Sequence, residues 1–124
     1  IESVAGYLDS KNIKKGDVVT IFMPNIVQSF VAFYAVNWIG AIANIVHPLP
    51  PADALEEMMR KSHSNAIFVF DLIMEPYVEV LRKLNRLVIV CSSSDYAPTL
   101  TRPALKVFEK IKVRHKTDAI IFFI

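Results

Sequence analysis

Between Val18 and Ala52 the sequence carries no Asp, Glu, Lys or Arg. A stretch this long without charge belongs in a protein interior, in a membrane, or under other protein. Its internal order favours an interior. VVTIFM, residues 18–23, is rich in β-branched residues and Phe, the composition of a strand covered on both faces. Pro24 and Asn25 break it, and Asn25 is the expected N-cap of the next helix, its side-chain oxygen accepting from the free amides of a first helical turn. Ile26 to Ile39 is apolar almost all the way round, the pattern of a helix buried inside a larger protein. Gly40 ends it where the backbone turns left-handed, and AIANIV, residues 41–46, is a second strand. The competing reading is a transmembrane helix over Phe30 to Val46. Asn37, Gly40 and Asn44 interrupt that run, Pro48, Pro50 and Pro51 come after it, and no basic cluster flanks it closely, so the membrane reading is set aside.

At 124 residues the chain is one domain at most, long enough to bury a core. An apolar fraction of 53% against 21% charged is oily for a free-standing soluble domain, and implies a piece whose surface is partly covered by something else. The net charge of +2 implies no nucleic-acid or acidic-membrane partner. Cys91 is the single cysteine, so there is no internal disulfide and no cysteine metal cluster; in LVIVC it reads as a buried strand thiol. IESVAGYLDSKNIKKGD reads as a helix and a polar turn rather than a secretory signal, which makes the cytoplasm the expected location. The chain opens inside a helical pattern and closes on AIIFFI, so both ends are expected to be cuts in a longer protein.

The remaining elements emerge from periodicity. Val4, Tyr7 and Leu8 predict a first helix over Glu2 to Lys11. NIKKGD is a charged turn with Gly16 at its bend, and HPLPP is a stiff extended connection. Asp53 or a neighbour starts an amphipathic helix to Lys61, with Leu55, Met58 and Met59 inward and the pairs Glu56–Arg60 and Glu57–Lys61 on its wet side. SHSN is a turn, AIFVF a third strand. Met74 to Leu84 is a helix with Pro76 near its first turn, Tyr77, Val80, Leu81 and Leu84 inward, and Glu79 paired with Lys83 outside. LVIVC is a fourth strand, SSSDYAPTLTRP a loop, ALKVFEKIK a short helix, and AIIFFI a fifth strand. The fold class is α/β: three layers, a mostly parallel sheet of about five strands, and flanking helices.

Such a sheet binds ligands at the carboxyl ends of its strands. Those ends carry Pro24-Asn25, His47-Pro48, Asp71, and Ser92 to Ser94. Three glycines in the chain exclude both GxGxxG and a Walker A loop. His47 reads as a packed or hydrogen-bonded imidazole, while His63 and His115 lie in polar stretches and read as solvated. No His, Cys or carboxylate set has metal-ligand spacing. Ser92 to Ser94 have no evident base and read as turn residues. FVFDLIMEP resembles the phosphoacceptor strand of a receiver domain, which would make Asp71 the phosphoacceptor. Phosphorylating an Asp needs Mg²⁺ and further carboxylates. Receivers supply these after the first strand, where this chain has Pro24-Asn25, so Asp71 reads rather as a cap or turn residue.

A second resemblance covers far more of the chain. The order is Gly16-Asp17 before the first strand, Pro24-Asn25 after it, a helix with Phe33, Ala35 and Gly40-Ala41, a proline-bearing turn, and a helix ending in Ser62. It resembles the amino-terminal part of the adenylate-forming enzymes, which include acyl- and aryl-CoA synthetases, luciferases and peptide-synthetase adenylation domains. The likeness runs from Ile1 to Cys91, weakens over Ser92 to Lys116, and returns at TDAIIFFI. His47-Pro48 departs from the family's frequent Asn-Pro.

The resemblance implies that residues 1–124 form a single α/β subdomain of an ATP-dependent acyl-CoA ligase. The parent protein would join a carboxylic acid to AMP and pass the acyl group to the thiol of CoA, in fatty acid metabolism. It would use ATP, Mg²⁺ and CoA. It further implies that the chain stops before the phosphate-binding loop, binds no cofactor alone, and carries no catalytic, cofactor-binding or metal residue. The expected partners are the remainder of its own chain and, through exposed interior surface, a second copy. The alternatives are the receiver-like module with Asp71 as phosphoacceptor and a non-enzymatic interaction domain.

Overall fold

The computed structural model describes residues 1–46, 49–92 and 120–123. The expected helix over 104–112, most of the loop after Cys91, His47-Pro48 and His115 fall outside the described residues. The elements run α1 (Glu2–Ser10), β1 (Val18–Phe22), α2 (Val27–Trp38), β2 (Ile42–Ile45), α3 (Ala52–Lys61), β3 (Ser64–Phe70), α4 (Val78–Leu84), β4 (Leu87–Cys91) and β5 (Ile120–Phe123). The strands form one sheet in the order β2-β1-β3-β4-β5, and each adjacent pair is parallel.

Alternation along the strands splits the core into two faces. Val19 and Ile21 of β1, Ala66 and Phe68 of β3, and Ile89 and Cys91 of β4 pack with Val4, Ala5 and Leu8 of α1 and Ala32, Ala35 and Val36 of α2. On the other face Phe22, Ile67, Val69, Val88 and Val90 pack with Leu55 and Met59 of α3 and Val78 and Leu81 of α4. Side chains two apart share a face, so three adjacent covered strands read as unbroken apolar runs. The result is the expected α/β/α layering, and Cys91 is a buried thiol within it.

Turn chemistry sets the connections. Gly16 and Gly40 both have positive φ, +88° and +75°, and the Gly16 amide donates to the Gly40 carbonyl at 3.0 Å, joining the entry to β1 with the entry to β2. Lys14 and Asp17 close the charged turn, the Lys14 amide donating to Asp17 Oδ2 at 2.8 Å. β3 begins earlier than AIFVF predicts, at Ser64, with His63 exposed in a left-handed bend. Its pairing with β1 shifts by one residue between Val18 and Val19. Asn65, the extra residue there, accepts the Val18 N–H on its side-chain oxygen at 3.2 Å, so the bulge leaves that donor satisfied.

Several expectations are corrected. Asn25 does not cap α2; Ile26 holds the N-cap position, and Ser29 Oγ accepts the Ile26 N–H at 3.2 Å while donating to the Ile26 carbonyl at 2.6 Å. The Ser29 hydroxyl thus satisfies the N–H of the N-cap residue itself rather than a free amide of the first helical turn. Helix α2 is also not buried all round, since Val27, Phe30, Tyr34 and Trp38 are each more than half exposed. Met58 lies on the wet side of α3 rather than in its inward stripe. The expected helix from Met74 is a short 3₁₀ turn, Glu75–Tyr77, and then α4, with another 3₁₀ turn, Asp71–Ile73, before it. Pro76 disfavours the α conformation at Glu75 before it, and Asn85 ends α4 in a left-handed conformation. Glu79 faces Arg82 at 3.7 Å, and Lys83 reaches across to Glu56 of α3 at 3.3 Å. The pairs Glu56–Arg60 and Glu57–Lys61 form as expected, at 2.9 and 2.7 Å.

Candidate functional site

In the order β2-β1-β3-β4-β5 the chain winds one way from β1 to β2 and the other way from β3 onward. The crevice outside the carboxyl ends of β1 and β3 is where a sheet of this kind takes a ligand. β1 delivers Met23, Pro24 and Asn25 to that edge, and the Ile26 amide donates back to the Pro24 carbonyl at 2.8 Å, turning the chain sharply into α2. β3 delivers Asp71, the first residue of its 3₁₀ turn, then the buried Met74. β4 delivers the buried Ser92.

Two contacts tie this edge together. Gln28, in the first turn of α2, donates its side-chain amide to the Ser92 carbonyl at 3.1 Å, linking the exit of β4 to the entry of α2. Tyr77 donates its hydroxyl to the Pro50 carbonyl at 2.6 Å, and its ring meets Phe22 edge-on at 4.7 Å between centroids. Tyr77 thus fastens the start of α4 to the end of β1 and to the proline-rich segment after β2. Sequence reasoning places Tyr77 inward but gives no role to Gln28, whose partner lies 64 residues away.

The edge brings Asn25, Asp71 and Ser92 to strand ends, as expected. Its polar groups are amides, carboxylates and a hydroxyl. No Lys or Arg stands among residues 23–28, 49–51, 71–77 or at Ser92. A nucleotide triphosphate needs cationic side chains or a run of inward-facing backbone amides, so these residues do not fit ATP, and nucleotide chemistry is not assigned to them. The end of β1, the strand paired with β3, holds Pro24 and Asn25 rather than further carboxylates to join Asp71. Among the described residues no group of three or more His, Cys, Asp or Glu is placed to hold a metal ion. No described helix is long and apolar enough to cross a membrane.

The charged groups gather instead on α3 and α4. The Arg60 side chain, hydrogen-bonded to Glu56, and then Lys83 hold the Glu56 carboxyl below its ordinary value of 4.5. On α1, burial raises the Tyr7 phenol above its ordinary range. Lys11 sits over that ring at 5.6 Å from its centroid.

Comparison with known proteins identifies the family to which this fold belongs. The family model described as AMP-binding enzyme matches residues 1–122. A long-chain-fatty-acid–CoA ligase of Bacillus subtilis is 27% identical over 117 residues, covering 93% of this chain and 21% of that protein. Acetyl-coenzyme A synthetase 2 of Saccharomyces cerevisiae is 34% identical over 71 residues, covering 57% of this chain and 10% of its own length. A benzoate CoA ligase structure from Burkholderia xenovorans LB400 superposes with a TM-score of 0.66 at 19% identity, covering 69% of this chain and 18% of that one. This chain therefore spans about a fifth or less of the proteins it resembles. With the match running over nearly its whole length, the chain belongs to the AMP-binding enzyme family.

Proposed function

We propose that these 124 residues are the amino-terminal α/β subdomain of an AMP-forming acyl-CoA ligase. In that reaction a carboxylate oxygen attacks the α-phosphate of ATP, giving an acyl adenylate and pyrophosphate. The CoA thiol then attacks the acyl carbon, forming the thioester and releasing AMP. ATP, Mg²⁺ and CoA would be bound by other parts of the longer protein, in the cytoplasm. The described residues would serve as one wall of the domain and as its support, with no catalytic, nucleotide or metal ligand among residues 1–124. The single observation that carries this reading is the family match over residues 1–122.

The relatives are named for fatty acids, acetate and benzoate, so the acid class is open at the level of the family. Fatty acid metabolism is the proposed setting, after the B. subtilis relative, whose match covers the largest share of this chain among those described. The test is thioester formation by the full-length gene product with ATP, Mg²⁺, CoA and a panel of short, long and aromatic acids. The expected result is AMP and acyl-CoA in equal amounts with one acid class. Release of ADP, or phosphorylation by acetyl phosphate that is lost in Asp71→Asn, would overturn it, the latter in favour of the receiver-like reading.

A further inference from the structure

The described lysines and arginines all lie at one edge of the sheet. Every strand pair is parallel, so the end of each helix and the turn after it bring the chain to the amino edge, opposite the candidate site. Lys11, Lys14 and Lys15 lie between the end of α1 and the start of β1. Arg60 and Lys61 close α3, Arg82 and Lys83 close α4, and Arg86 precedes β4. All of these residues are exposed, and no other Lys or Arg occurs among the described residues. Of the described acids, only Asp9 and Asp17 share that edge. Glu56 and Glu57 sit midway along α3, and the others open helical turns at the opposite end. The net charge of +2 sums the two ends and conceals this division.

Helix polarity accounts for part of the pattern, since cations suit the negative end of a helix. On α3 and α4 the cations are also paired, Arg60 and Lys83 with Glu56, Lys61 with Glu57, and Arg82 with Glu79. Neither reason covers the entry to β1. Lys14 and Lys15 lie outside any helix, and Lys11, Lys14 and Lys15 form no ion pair among the described residues. The stem of Lys15 lies against Gly40, where α2 gives way to β2. On either side of that glycine in the chain stand Trp38 and Ile42, 67% and 54% exposed. One corner of the amino edge thus combines three lysines with an exposed indole and an exposed aliphatic side chain.

We propose that this corner is a docking surface for an anionic lipid bilayer, with the lysines on lipid headgroup phosphates and Trp38 and Ile42 at the boundary between headgroups and acyl chains. Charge alone would suit any polyanion. The apolar pair selects the bilayer, because tryptophan and aliphatic residues among lysines are the composition of an interfacial anchor. This is attachment at the surface, by a chain in which no described helix can cross a membrane. The acidic end is repelled by the same surface, so the candidate site faces away from it. The inference goes beyond the ligase reading and does not depend on it.

Co-sedimentation of the full-length gene product with vesicles of phosphatidylcholine, alone or mixed with phosphatidylserine, tests this. The expected result is binding to the phosphatidylserine vesicles only, falling as salt is raised. Lys14→Gln with Lys15→Gln should weaken it about 25-fold, at roughly fivefold for each lysine near an anionic surface. Trp38→Ser with Ile42→Ser should weaken it at every salt concentration, while Leu72→Ser, exposed at the opposite edge, should leave it unchanged. The lysine variant removes only exposed charge and keeps the test decisive if the apolar pair disturbs folding. Absence of binding, equal binding to neutral vesicles, or binding unchanged in the lysine variant overturns the proposal. So does lysine-dependent binding to poly(U) RNA or polyglutamate in preference to the anionic vesicles, which would assign the edge to a nucleic acid or an acidic protein.

Discussion

Thr20 and Ser64 place two hydroxyls at the buried centre of β1 and the start of β3, hydrogen-bonded to each other. Asn44 reaches in from β2 to Thr20 Oγ1 at 3.2 Å and to Ser62 Oγ, at the end of α3, at 3.4 Å. This small polar network crosses three strands in an otherwise apolar layer, so breaking half of it strands the rest. Thr20→Val, which keeps the shape, should cost about 1–3 kcal/mol in urea unfolding because Ser64 loses its partner. Thr20→Val with Ser64→Ala should recover part of that loss, and simple additivity of the two would argue against the network. Tyr77→Phe removes only the bond to the Pro50 carbonyl and should cost about 1 kcal/mol while leaving the edge-on contact with Phe22.

The Glu56 carboxyl is held below 4.5 by Arg60 and Lys83, so the folded state binds its proton less tightly than the unfolded chain does. Its contribution is therefore present above the ordinary glutamate value and is lost as pH falls through the depressed one. Glu56→Gln should flatten the acid side of the stability profile, most visibly at low salt, since the partners are at the surface. An unchanged profile would mean that the triad with Arg60 and Lys83 is not maintained in solution.

Among the elements, α2 and Gly40 carry the clearest test of how the first βαβ unit closes. Gly40 has φ +75°, and an added Cβ would stand 3.0 Å from Lys15 Cγ. The Lys15 side chain can swing away, but the backbone conformation cannot change without losing the 3.0 Å bond from Gly16. Gly40→Ala should cost about 1–2 kcal/mol, chiefly through the left-handed backbone. The same unit shows what a sequence reveals. Strands β1, β3 and β4 are legible as short β-branched runs, and α3 as a spaced apolar stripe with salt-bridge pairs, because both signals are local. The N-cap of α2 is not, because the backbone path puts Ile26, which has no side-chain acceptor, at the position for which Asn25 carries the local chemistry. Met58 is ambiguous for a related reason, standing at the edge of an apolar stripe. The partner of Lys83 is tertiary and obeys no helical spacing. At the candidate site, Asp71 and Ser92 are legible as strand ends, but the Gln28–Ser92 contact depends on how α2 lies over the sheet and leaves no trace in spacing.

At the scale of the whole molecule, five parallel strands with helices on both faces make a rigid slab whose strand ends offer turns, packed aromatics and side-chain tethers. Family membership supports the proposed enzyme class, and the proposed division of labour leaves the chemistry to other parts of a longer protein. The central claim is that the carboxyl edge of this sheet supports a catalytic site without entering it. ATP–pyrophosphate exchange by the full-length gene product, compared with its Asp71→Asn and Asn25→Ala variants, tests that most directly. The account predicts exchange rates close to the parent's in both variants, with unchanged unfolding midpoints. A loss of about 100-fold or more in a normally folded variant, the scale of a lost acid–base group, would contradict it.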